Sequence, residues 1–143
     1  MSRNERIAFQ SDIKFITMPG NIGMVSNSSG LGLSMSDMII NLGGSPANFC
    51  DLGGSTIHEQ IDTILNLLND DEKVRVIFIN CFGGIVSIEK LVATLGMNFK
   101  FGNIHKPIVL RGHGNGSESI KDLKEEWAGK YDLIVEPDLE NAC

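Results

Sequence analysis

Residues 74 to 95 pass from a buried strand through a glycine pair into an amphipathic helix, and no other stretch constrains the fold as strongly. Val74-Arg75-Val76-Ile77-Phe78-Ile79 is rich in β-branched residues and bounded by charge, the pattern of a buried β-strand. Ile85, Ile88, Leu91, Val92 and Leu95 then recur at helical spacing. Between the two, Asn80-Cys81-Phe82-Gly83-Gly84 reads as a turn. The first N–H groups of a helix have no intrahelical partner and lie at the positive end of its dipole. A turn of this kind can hold a carboxylate or phosphate, although packing alone also produces it.

Strand and helix alternate on either side of this unit. Strands are expected around Ile13 and Phe15 at a sheet edge, over residues 22–25, more weakly over 46–52, and again over 107–110 and 133–135. Ahead of the first strand the chain opens with polar residues and drops straight into it, as a piece of a longer protein also would. Helices are expected from Leu31 to Leu42, from Ile57 to Leu68 behind a Thr56/Glu59 capping box, and from Ile120 to Trp127 behind Ser117. Such alternation predicts an α/β fold, a doubly wound and mostly parallel sheet with helices on both faces. Sheets of this type bind ligands beyond the carboxyl ends of their strands, where strand order reverses. Four small-residue loops follow strands here: Asn27-Ser28-Ser29-Gly30, Asp51-Leu52-Gly53-Gly54, Cys81-Phe82-Gly83-Gly84 and Arg111-Gly112-His113-Gly114.

Bulk properties narrow the functional classes. With 143 residues the chain reads as one domain, 1–143, able to bury about two-thirds of its unfolded surface without metal or disulfide. A net charge of −6 with no Lys/Arg stripe argues against a nucleic-acid partner. No apolar run nears the roughly 20 residues that span a bilayer, so no membrane partner is expected. Cys50, Cys81 and Cys143 are odd in number and lack metal-ligand spacing, which points to free thiols in a reducing compartment.

Individual residues leave alternatives open. Asn27 can donate to a carboxylate or cap the next helix. Cys81 sits where a helix dipole would activate a thiol, or where a small apolar residue simply packs. His58 falls in a first helical turn and His105 in a loop, which leaves His113 as the histidine on the expected rim. Asp51 has no second carboxylate beside it, so an acidic metal cluster is not expected. Arg111-Gly112-His113-Gly114-Asn115-Gly116 lacks the spacing and the acidic partner of a dinucleotide loop.

Taken in order, Gly20-Asn21-Ile22-Gly23, Gly30-Leu31, Gly43-Gly44-Ser45-Pro46-Ala47-Asn48-Phe49, Asp51-Leu52-Gly53-Gly54 and Asn80-Cys81-Phe82-Gly83-Gly84-Ile85-Val86 resemble one family. It is the C-terminal CoA-ligase domain of the succinate–CoA ligase β subunit, related also to ATP-citrate lyase. The resemblance covers roughly residues 10 to 140. It implies a flavodoxin-like fold and a share in converting succinate, CoA and a nucleoside triphosphate into succinyl-CoA, diphosphate and phosphate. It implies as partners an α-type subunit that carries a phosphohistidine and binds CoA, and an ATP-grasp domain, in cis or trans, that binds ATP or GTP with magnesium. The ATP-grasp half is absent here, and this chain alone is expected to bind no cofactor and to be inactive. By matching position, Asn27 and the backbone of Gly84, Ile85 and Val86 would contact succinate or a related carboxylate. Cytoplasm, or the mitochondrial matrix for a eukaryotic β subunit, is the implied location.

Two departures stand out. Ser28-Ser29 replaces the Gly-Ala that relatives favour, and Arg111 is followed by Gly112-His113-Gly114 where relatives continue Leu-Glu-Gly. These changes leave a second reading open, a non-catalytic descendant kept for subunit interaction or small-anion binding.

Overall fold

The computed structural model describes residues 2–53, 58–83, 87–114, 118–127 and 129–135. The elements run α1 (Arg3–Gln10), β1 (Lys14–Thr17), β2 (Ile22–Ser26), α2 (Ser29–Asn41), β3 (Asn48–Asp51) and α3 (His58–Asp70). They continue with β4 (Val76–Gly83), α4 (Ser87–Phe101), β5 (Ile108–Gly114), α5 (Glu118–Trp127) and β6 (Leu133–Val135). The six strands form one sheet in the order β1-β3-β2-β4-β5-β6. All neighbours pair in parallel except β1, which runs antiparallel to β3 at one edge. Without β1, the strands follow the flavodoxin-like order, in which the first strand lies between the second and the third.

Alternation along the strands divides the core between the two faces. Val25, Cys50, Ile77, Ile79, Cys81, Ile108 and Leu110 are buried with residues of α1, α3, α4 and α5. Met24 and Phe78 point the other way, into a smaller cluster with Met35 and Ile39 of α2. Helices cover both faces, as the sequence predicts, but among the described residues four lie on one side and α2 alone on the other.

Three sequence expectations need correction. The polar opening of the chain folds as α1 instead of leading straight into a strand. Its N-terminus is held by a capping box in which Ser2 Oγ accepts from the Glu5 N–H at 3.1 Å and Glu5 Oε1 accepts from the Ser2 N–H at 2.9 Å. The strand expected to stop at Ile79 continues to Gly83, and the one expected to stop at Leu110 continues to Gly114. The two extensions pair with each other, Cys81 opposite Gly112, Phe82 opposite His113 and Gly83 opposite Gly114. At 112, where α5 lies against the strand, a Cβ would come 2.2 Å from Ile120 Cδ1 and the end of that side chain would have to shift. The Thr56/Glu59 capping box and the Ser117 cap involve residues outside the described set.

A buried amide joins β2 to β3. Asn48 is fully buried; its Oδ1 accepts from the Met24 N–H and its Nδ2 donates to the Met24 carbonyl oxygen, both at 2.9 Å. The side chain thus supplies both hydrogen bonds that a neighbouring strand would otherwise give to Met24.

Candidate functional site

The connection through α2 carries the chain from β2 to one side, and the connection through α3 carries it back past β2 to β4. Strand order therefore reverses between β2 and β4, the point at which sheets of this type hold their ligands, in a crevice at the carboxyl ends of the strands. Ser26, the last residue of β2, lies opposite Asn80 of β4. Asn27 follows Ser26 directly and is half-buried. Gly83 ends β4 and Ser87 begins α4, so Gly84, Ile85 and Val86 fall outside the described residues. The sequence-predicted Asn27 thus follows the end of β2, next to the strand from which the other three follow in sequence.

The strand register brings together a polar row that the loop motifs did not reveal. Asp51 pairs with Ser26, Ser26 with Asn80, and Asn80 with Arg111, so the four residues cross β3, β2, β4 and β5 on the face covered by α2. Ser26 and Asn80 are completely buried, Asp51 is buried, and Arg111 is half-buried. Ser26 Oγ donates to the Cys50 carbonyl oxygen at 2.6 Å. Asp51 Oδ1 accepts from the Gly53 N–H at 2.8 Å, which fixes the turn after β3. Arg111 Nη1 donates to Asn80 Oδ1 at 3.0 Å, which places the guanidinium at the end of the row.

The amino terminus of α2 lies over this row. Ser28 is its N-cap, and Ser28 Oγ accepts from the Leu31 N–H at 3.1 Å. Gly32 permits close approach, since a Cβ there would come 2.6 Å from the Phe49 ring and 3.1 Å from Ser26 Oγ. The α2 dipole lies over the Ser26 part of the row and Arg111 ends it, two sources of positive potential that suit an anion, with the Asp51 carboxylate at the opposite end.

The remaining sequence candidates take structural places. Cys81 is buried among the α3 and α4 side chains, and burial pushes its thiol up to about 12, so it packs and is not activated. Burial likewise raises the Cys50 thiol far above its ordinary range. His58 Nδ1 lies 2.6 Å from Thr94 Oγ1 across the α3/α4 seam. The His105 N–H donates to Asn69 Oδ1 at 3.0 Å, at the amino end of β5. His113 belongs to β5, opposite Phe82. Among the described residues, no group of three or more His, Cys, Asp or Glu side chains could hold a metal ion, and no helix is long and apolar enough to cross a membrane.

Comparison with known proteins adds a second line of observation. Residues 25–130 match the family model for CoA-ligase. The chain is 33% identical over 124 residues to the succinate–CoA ligase [ADP-forming] subunit beta 2 of Archaeoglobus fulgidus, covering 87% of this chain and 32% of that protein. It is 35% identical over 136 residues to the mitochondrial succinate–CoA ligase [ADP-forming] subunit beta of Dictyostelium discoideum, covering 95% and 30%. The chain thus spans about a third of the length of these curated relatives. Among solved structures, ATP citrate lyase from Methanothrix soehngenii, in complex with citrate and coenzyme A, superposes with a TM-score of 0.71 at 19% identity, over 95% of this chain and 42% of that one. A dinucleotide-forming acetyl-coenzyme A synthetase from Ca. Korarchaeum cryptofilum superposes with a TM-score of 0.68 at 14% identity, over 89% and 32%. At these identities the two structures share the fold.

Proposed function

Because this chain belongs to the CoA-ligase family, we propose that it is the CoA-ligase portion of a succinate–CoA ligase β subunit. In this reading it completes the site where succinate meets the phosphohistidine of an α-type subunit. The observation that supports the reading is that the matched residues include the reversal between β2 and β4, where Asn27 follows β2, α2 begins, and Arg111 of β5 bonds Asn80 of β4. Asn27 and the backbone of Gly84, Ile85 and Val86 hold one carboxylate of succinate, and Arg111 contributes positive charge at the same rim. Passing a phosphoryl group from a phosphohistidine to a carboxylate brings two anions together. Fixed N–H dipoles lower the cost of that encounter without supplying a proton.

The α-type partner binds CoA, and an ATP-grasp domain in cis or trans supplies nucleotide and magnesium. The relatives named above are ADP-forming, so ATP is the nucleotide of the proposed assembly. Cytoplasm, or a mitochondrial matrix as for the Dictyostelium relative, is the matching location.

Reconstitution tests the reading. Mixing this chain with an α-type subunit and an ATP-grasp partner should give succinyl-CoA formation that depends on succinate, CoA and ATP. Assembly without turnover would favour the second reading, a non-catalytic interaction or anion-binding module. One feature favours that alternative: Ser28 Oγ already accepts from the Leu31 N–H, one of the donors that the α2 terminus would otherwise offer an anion.

A further inference from the structure

Asn80 carries one polar group that neither the fold nor the proposed contacts use. The residue is completely buried, and its Oδ1 accepts from Arg111 Nη1. A guanidinium has only donors, so this bond fixes which way the amide points; the reversed amide would set two donors against each other. Nδ2 is then the other arm of that amide, in the row between Ser26 and Arg111 and on the sheet face covered by α2. Nδ2 is buried and has no hydrogen-bond partner among the described residues. Buried amide donors without partners cost stability and are rare in folded proteins, so one retained in the row beneath the α2 terminus calls for a ligand. The α2 terminus, which lies over the neighbouring Ser26, sets the sign of that ligand's charge.

We propose that Asn80 is a substrate-binding residue: its Nδ2 donates to a carboxylate oxygen of the acid held at the β2/β4 crevice, with Arg111 fixing the direction of the amide. The proposal rests on the succinate reading for the identity of the acid, and it assigns that acid a contact buried in the sheet as well as those from the loops.

Asn80→Asp separates this role from simple positioning of Arg111. A carboxylate at position 80 still accepts from Arg111, but its second oxygen puts a negative acceptor where the donor was. The ¹⁵N-labelled full chain is titrated with sodium succinate, and with sodium chloride at matched ionic strength. The side-chain NH₂ resonances of Asn80, assigned by triple-resonance methods, should move and saturate with succinate alone. In Asn80→Asp the succinate affinity should fall about tenfold or more, the loss expected for a hydrogen bond to a charged group. An Asn80 resonance that ignores succinate, or that tracks chloride equally, overturns the proposal, and so does an Asn80→Asp variant of unchanged affinity. If the variant does not fold, the wild-type titration decides alone. Succinyl-CoA formation in the reconstituted assembly is scored separately. Turnover with a silent Asn80 leaves the ligase reading standing without this contact; a succinate-specific shift without turnover leaves an anion site without the ligase reading.

Discussion

Asn48 holds Met24 by both backbone groups: its Oδ1 takes the Met24 N–H and its Nδ2 reaches the Met24 carbonyl oxygen, each at 2.9 Å. This one side chain bridges β3 to the central strand β2 at a level where both are buried. Asn48→Leu keeps similar bulk but strands two backbone groups away from water. The expected loss is about 2–4 kcal/mol of unfolding free energy, from two unsatisfied groups at roughly 1–3 kcal/mol each with partial relaxation. Urea denaturation of wild type and variant checks this. A change below the error of the extrapolation would mean that the bridge does not support the sheet.

Packing at Gly112 makes a separate prediction. A Cβ at 112 would lie 2.2 Å from Ile120 Cδ1 and 3.5 Å from Ile88 Cδ1, so the end of the buried Ile120 side chain would have to shift. Gly112→Ala should destabilise the protein by about 1–3 kcal/mol, the range for overpacking. Ile120→Val removes the clashing carbon, so the double variant should be more stable than the sum of the single changes allows. Strict additivity would place the strain elsewhere.

How far this core could be read beforehand depended on the type of signal. The 3.6-residue periodicity from Ile85 and the β-branched run before Asn80 located α4 and β4, because burial on one side leaves its mark on neighbouring residues. Gly83 and Gly112 misled, since a glycine reads as a turn when seen alone and as a strand residue only once its partner strand is known. Register was out of reach for the same reason: nothing local says that Ser26, Asn80 and Arg111 lie side by side. α1 was missed because its short apolar set, Ile7, Ala8 and Phe9, carries little periodic signal. The Ser2/Glu5 spacing of a capping box was available to find it. That Asn27 directly follows a strand was legible from the short apolar run before it, and the structure ends β2 at Ser26.

The buried thiols predict a pH effect of known sign. Cys81 is fully buried with its pKa pushed up to about 12, while an unfolded thiol titrates near about 8.5. A raised folded pKa stabilises the protein below the unfolded value, and the contribution is lost as pH climbs from there toward the folded value. Wild type should therefore show a lower urea midpoint at pH 10 than at pH 7, and Cys81→Ala should lose less over the same interval. Alkylation by iodoacetamide at pH 8 should spare Cys81 in the folded protein and label it in urea, as peptide mass spectrometry can report. Rapid labelling of Cys81 in the native protein would contradict its burial.

If the carboxylic acid binds at the β2/β4 reversal, substrate-resolved kinetics of Asn27→Ala in the reconstituted assembly will show it. The succinate KM should rise about tenfold, the equivalent of one hydrogen bond to a carboxylate, while the KM values for CoA and ATP stay at wild type. An unchanged succinate KM, or an equal rise for all three substrates, would mean that the acid is held elsewhere.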